Sequence, residues 1–345
     1  MASARDILLG TTRVHRERIH LRTALLTGLL AILVTCGCIW GAQPSWALPL
    51  VLGIAFVGLA ESSESPDVRL RVMLWTLLWI TAGTALGGLV SSWAWPELIV
   101  VGVVGLVGGF AGALGSRGSL IGVLSMVTYT VFAGVPDSAT SALTAAFLVA
   151  LGGIVMIVAT LTPVLLLAPA TLSHRTERPE PVTRRLREHR RRDDVFAHHA
   201  LRLSIALVIG SFVAHNLAWP HQYWIPMTIV WMSRPDTNGT ATRVVERILG
   251  TVVGVALSVV TIEWISSTSV AVAIYTGLGT FLLLAFIQAN YPIAVAGVTW
   301  MIVTLFFLLG DTVGSTAPSR IGSTLLAGVI TMALALTLWR RSPTS

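Results

Sequence analysis

The sequence predicts an all-α, polytopic membrane protein of about twelve spanning helices, arranged as two parallel six-helix repeats. Three observations carry this. Of 345 residues, 54% are hydrophobic and 11% charged, whereas a water-soluble domain carries about 25% charged residues. No Asp, Glu or Arg occurs in 23–60, 72–96, 98–116, 118–136, 138–174, 203–233, 248–262, 264–310 or 321–339. Landmarks of the first half also recur at a near-constant offset in the second. Too little polar surface exists to cover a water-facing globule, so lipid must solvate most of the chain.

A helix crosses the hydrocarbon core with about 20 apolar residues. The charge-free stretches therefore place spans near 22–41, 45–61, 70–91, 97–115, 118–134 and 140–168. A second set follows near 199–218, 222–234, 244–265, 267–287, 292–310 and 320–339. The long run 264–310 is divided by Gln288-Ala289-Asn290-Tyr291-Pro292, which is turn chemistry. Residues 1–22 hold five arginines, and the apolar stretch after them is too long for the core of a cleavable signal. The chain divides into a segment 1–21, a first repeat 22–168, an Arg-rich linker 169–198, a second repeat 199–340 and a tail 341–345.

Charge sets the topology. With both termini cytoplasmic, 22 of the 23 basic residues, all of them Arg, fall on the inner side and only Arg320 lies outside. The positive-inside rule demands this orientation in a multi-pass protein of the plasma membrane. The net charge of +7 is confined to short segments, so it signals topology and contact with anionic lipid rather than nucleic acid. Trp40, Trp46, Trp93, Trp95, Trp219, Tyr223, Trp224 and Trp264 gather at the outer ends, where amphipathic rings favour the interface. Cys36 and Cys38 point to different faces of one helix and read as packing residues, not as a disulfide or metal site.

The repeat rests on four landmarks. Pro226 of Tyr223-Trp224-Ile225-Pro226 follows Pro49 of Trp46-Ala47-Leu48-Pro49 by 177 residues. Arg247 follows Arg71 by 176, Ser266-Ser267 follows Ser91-Ser92 by 175, and Gly310 follows Gly134 by 176. Units with an even number of spans enter and leave on one side, which gives a parallel repeat about an axis along the membrane normal. Both second spans are short and carry a proline, Pro49 or Pro226, near the outer end. Such matched, proline-interrupted segments point to a transporter's binding site.

An anionic solute needs fixed positive charge in the membrane. Arg243 and Arg247 share a helix face at i, i+4, and Arg71 matches Arg247 in the first half. They read as a basic ring at the inner mouth, although topological anchoring places arginines there equally. Glu246 and Asp236 neutralise them, and Arg234 precedes Asp236. Arg320 breaks the topology trend and either faces a pathway or pairs with Asp311. Thr228, two residues after Pro226, offers a hydroxyl to substrate or to its own helix. The pairs Gly83/Gly87, Gly108/Gly112 and Gly250/Gly254 read as close helix contacts. His215 and His221 flank the outer loop as candidates for a pH-sensitive gate. No acid falls in mid-span, which gives tight proton coupling little support. There is no phosphate-binding glycine loop and no catalytic triad, so neither an enzyme nor a cofactor is expected.

Between 220 and 254 a pattern stands out: Tyr223-Trp224-Ile225-Pro226-Met227-Thr228, Arg234-Pro235-Asp236, Thr240, Thr242-Arg243, Glu246-Arg247 and Gly250-Thr251-Val252-Val253-Gly254. It resembles the signature of the fusaric acid resistance family, which is similar to aromatic acid exporters and, more distantly, to plant aluminium-activated malate channels. The likeness spans about 199–340, and the first half joins it only through the repeat. It implies export or passive flow of small organic anions such as aromatic carboxylates. The candidate binding residues are Arg71, Arg243, Arg247, Arg320, Tyr223, Trp224, Pro226, Thr228, Pro49, Arg234 and Asp236. Larger bacterial members insert a soluble domain where this chain has only its Arg-rich linker. The implied partners are the bilayer, the anion, and either a second copy or an adaptor protein. Two alternatives are an uncoupled anion channel and a membrane scaffold for envelope assembly.

Overall fold

The computed structural model describes residues 14–61, 65–135, 138–167 and 195–338. Among them are twelve α-helices and no strand. The first six are α1 (Leu21–Trp40), α2 (Ala47–Leu59), α3 (Pro66–Val90), α4 (Ala94–Phe110), α5 (Ser116–Ala133) and α6 (Ala139–Leu167). The second six are α7 (Val195–Asn216), α8 (Trp224–Met232), α9 (Thr237–Val259), α10 (Ser269–Phe286), α11 (Tyr291–Leu308) and α12 (Val313–Thr337). Each coincides with one of the spans read from the sequence. The linker arginines from Arg175 to Arg192, together with Arg5, Arg13, Arg340 and Arg341, lie outside the described residues.

Nine of these helices are long and apolar enough to cross a membrane, fewer than the expected twelve. The other three are α2, α5 and α8. At 1.5 Å per residue, the 13 residues of α2 reach about 20 Å and the 9 of α8 about 14 Å, well short of a hydrocarbon core of about 30 Å. Neither needs to match lipid, because both are enclosed by protein. Every residue of α2 from Ala47 to Gly58 is buried, and in α8 only Trp231 is not. Buried backbone at membrane depth is tolerated where protein rather than lipid surrounds it. The third short case, α5, has 18 residues but opens on Ser116-Arg117 and carries hydroxyls at Ser119, Ser125, Thr128, Tyr129 and Thr130.

Contrary to the expectation from sequence, the two prolines do not interrupt their helices. Pro49 and Pro226 each sit at the third helical position, in the first turn. There the missing N–H removes no intrahelical bond. The helices run unbroken from that point.

Helix pairings recur six helices along the chain. α3 packs on α5 and on α6 as α9 packs on α11 and on α12. α1 packs on α2, and α2 on α6, as α7 packs on α8, and α8 on α12. Across the halves, α4 packs on α7 as α10 packs on α1, and α5 meets α8 as α11 meets α2. Small residues permit these crossings. A Cβ on Gly53 or Gly152 would strike the carbonyls of Val149 or Leu50, which fixes α2 against α6. Gly83 and Gly87 face Ser125 and Tyr129 of α5, and Gly250 and Gly254 face Pro292 and Ala296 of α11, as the small-residue spacing implied.

Leu21, Leu25, Leu29 and Leu33 of α1 are all more than half exposed and form one stripe at i, i+4 spacing. Without lipid such a face would be a large apolar patch on water. Trp40, Trp93, Trp95 and Trp264 stand exposed at the helix ends, as a membrane-interface belt requires. Tyr223 and Trp224 leave this belt, being 4% and 1% exposed. Their burial has another cause.

Candidate functional site

Arg320 stands on α12, two residues after Pro318, and is wholly buried. Nε, Nη1 and Nη2 all lack a hydrogen-bond partner among the described residues. Its Cζ lies 5.0 Å from the centroid of the Trp224 ring. It does not pair with Asp311. Asp311 instead bonds His221 at 2.7 Å, and His221 lies against Trp224 and Phe306 with ring centroids 4.8 and 4.0 Å away. His221 adopts φ of +53°, a left-handed conformation that an L side chain enters at a cost. Ser319 Oγ donates to Pro220 O, so the start of α12 is fastened to the loop before α8. These two fastenings hold Arg320 beneath the Trp224 ring.

Arg247 on α9 is 2% exposed, and its Nε also lacks a partner. Nη1 donates to the Tyr291 hydroxyl at 3.5 Å, and Cζ lies 5.8 Å from the Trp231 ring. α9 and α12 run antiparallel: Thr237 Oγ1 donates to Ala335 O at 3.2 Å, and Thr324 donates to Thr251 at 3.5 Å. Arg247 lies one turn from that threonine pair toward one end, and Arg320 one turn toward the other. Their Cα atoms are thus roughly 12 Å apart along the axis.

Beyond Arg247, Arg243 pairs with Glu246 at 3.3 Å and lies 3.9 Å from the Tyr291 ring centroid. Arg234 follows in the turn after α8. Its carbonyl accepts from Arg202 Nη2, and the same nitrogen donates to Pro235 O at 3.2 Å. The second half therefore carries a file of guanidinium groups, Arg320, Arg247, Arg243 and Arg234, bordered by Trp224, Trp231 and Tyr291. Tyr223 Oη and Thr228 Oγ1 on the α8 side, and Ser323 Oγ on α12, are buried without partners as well.

Other residues named from the sequence lie elsewhere. Asp236 is exposed and caps α9, accepting from Gly239 N at 2.6 Å. Arg71 is exposed on α3, and Pro49 sits in the apolar surroundings of α2. Arg69 pairs with Glu61 at 2.7 Å, and Glu61 also accepts from Thr23 at 2.5 Å. Among the described residues, the buried arginines, Arg202, Arg247 and Arg320, all lie in the second half. Sequence reasoning missed Arg202, Trp231 and Tyr291, which looked like a helix-start charge, an apolar residue and a turn residue. It also missed a cavity of about 250 Å³ between α4, α5, α7 and α8, lined by Ser116, Ser119, Phe196, His199, Ser233 and Arg234 among others.

An unpaired charge in a low-dielectric interior is expensive, and proteins pair or hydrogen-bond such groups. A cation–π contact offsets part of the cost, about 2 kcal/mol when desolvated. What would satisfy Arg320 is an anion with planar oxygen pairs, since guanidinium donors match a carboxylate bidentately. The aromatic border suits a flat, apolar body on that anion.

Fold and site together define a multi-pass helical membrane protein with a buried cationic site. Residues 205–334, which hold α8 to α11, most of α12 and the second half of α7, match the family described as fusaric acid resistance protein-like. The chain is 29% identical over 157 residues to Inner membrane protein YccS of Escherichia coli, a match covering 45% of this chain and 21% of that one. It is 26% identical over 153 residues to the uncharacterized protein slr1298 of Synechocystis, covering 42% and 19%. An uncharacterized protein of Haemophilus influenzae is 28% identical over 142 residues, covering 41% and 20%. The matched part is about a fifth of the length of these relatives. No solved structure matches.

Proposed function

We propose that this protein is a transporter that exports small organic anions, aromatic carboxylates foremost, through the arginine file of its second half. The observation that carries the reading is Arg320: completely buried, with three guanidinium nitrogens unpartnered and one aromatic face beside it. A scaffold gains nothing from such a group, whereas a site for a negatively charged solute requires it. Arg247, Arg243 and Arg234 continue the positive potential toward the end of the molecule that the arginine distribution assigns to the cytoplasm. Tyr223, Trp224 and Thr228 form the wall on the α8 side. The recurrent pairings support two six-helix units, 22–168 and 199–340, joined by the 169–198 linker. In this reading the first unit is a structural counterpart whose second helix has lost its polar lining. The match of residues 205–334 to the fusaric acid resistance protein-like family agrees with efflux.

The test is efflux of benzoate and related aromatic acids from liposomes holding the purified chain. Wild type should release them faster than protein-free liposomes, and Arg320→Met should fall to the protein-free rate. Equal release by both proteins would remove the site. A large steady current in electrical recording would favour a channel over a carrier.

A further inference from the structure

Glu97 lies in the first turn of α4, and its side chain is 4% exposed. It is the carboxylate most deeply buried among the described residues. Ser211 of α7 donates to its Oε1 at 3.4 Å, and its Oε2 has no hydrogen-bond partner. His215, one turn further along α7, places Nδ1 4.0 Å from Oε2. Nδ1 is also 2.7 Å from the Ser211 carbonyl, which can only accept, so Nδ1 carries a hydrogen and Nε2 is left to bind a second proton. The His215 side chain is 35% exposed and links Glu97 to solvent. From α5, Tyr129 faces the same place and donates to the Glu97 carbonyl at 3.4 Å. The charged residues of α3, namely Asp67, Arg69 and Arg71, lie at its opposite end.

We propose that Glu97 and His215 form a proton-binding pair that couples uptake of an outer-side proton to anion export. A buried carboxylate with a free oxygen is stable either protonated or facing an imidazolium. Its occupancy therefore changes the charge at the contact between α4 and α7, where the two halves meet. That contact reaches the arginine file through packed residues. Gly210 of α7 lies so close to α8 that a Cβ there would sit 2.5 Å from Ile229 Cδ1, and Gly134 after α5 presses on the Tyr223 ring. α8 in turn holds Trp224 against Arg320. This coupling rests on the transport reading above.

Two measurements on the full chain in liposomes test it. Infrared difference spectra between about pH 5 and about pH 8 should show a buried carboxyl band in wild type that Glu97→Gln lacks. Efflux of benzenesulfonate, an aromatic anion that stays charged over this range, should accelerate several-fold as the outside is acidified. In Glu97→Gln it should proceed at a rate independent of outer pH, and Glu97→Asp should restore the dependence. An unchanged infrared difference spectrum in Glu97→Gln, or an unchanged pH profile, would overturn the proposal. No benzenesulfonate flux from wild type with the Glu97 band intact would refute transport and the coupling with it, while a flux without that band would refute the coupling alone.

Discussion

Replacing Arg320 by Met removes a buried charge while keeping a long apolar side chain of similar reach. Leaving an ion buried without its partner costs about 3–5 kcal/mol in proteins where this has been created by mutation. The Trp224 ring at 5.0 Å offsets about 2 kcal/mol of that. Arg320→Met should therefore stabilise the ligand-free protein by roughly 1–3 kcal/mol, the difference between those two estimates. Binding should move the other way. A hydrogen bond to a charged group contributes about 1.5–3 kcal/mol, so benzoate should bind about 10- to 150-fold more weakly. Both effects appear in one assay, thermal unfolding in detergent with and without benzoate. Wild type should melt lower when ligand-free and rise on adding benzoate, since saturation at about 100 times Kd adds about 2.7 kcal/mol. Arg320→Met should melt higher and respond little. A variant that melts lower than wild type and keeps the full benzoate shift would show that Arg320 is a satisfied structural group.

Three further outcomes are expected. Arg71→Ala should leave benzoate efflux unchanged, because Arg71 is exposed and stands apart from the arginine file; an efflux assay beside Arg247→Ala separates the two. Gly53→Val should cost about 3 kcal/mol or prevent accumulation in the membrane, because its Cβ would strike the Val149 carbonyl across α2 and α6; expression and thermal unfolding report it. Asp236→Ala should lower stability by about 1 kcal/mol through loss of the α9 cap, with little effect on benzoate affinity.

Lipid contact was legible because it is written in composition. The charge-free stretches found every helix that the structure describes, and the Leu21-to-Leu33 stripe and the exposed tryptophans follow from the same patterning. Which short helices truly cross was not legible. A nine-residue segment such as α8 lies below any length rule, and only its enclosure by other helices makes it stable at membrane depth. Arg320 drew notice by breaking the charge asymmetry, yet Asp311 is taken by His221, ninety positions from that aspartate in the chain. Arg71 and Arg247 stand 176 positions apart in similar sequence surroundings but in different environments, one exposed and one buried, because burial is set by the helices packed around each. Glu97 begins a helix, a position that by itself predicts an interfacial acid. Its burial comes from α7, a contact between halves that no local pattern encodes.

The most direct measurement is a density map of the protein in lipid nanodiscs with bound 4-iodobenzoate, whose heavy atom marks the ligand. The expected result is carboxylate density within hydrogen-bonding distance of the Arg320 guanidinium, with the ring against Trp224. Iodobenzoate found elsewhere, with Arg320 still enclosed and unpartnered, would contradict the anion site.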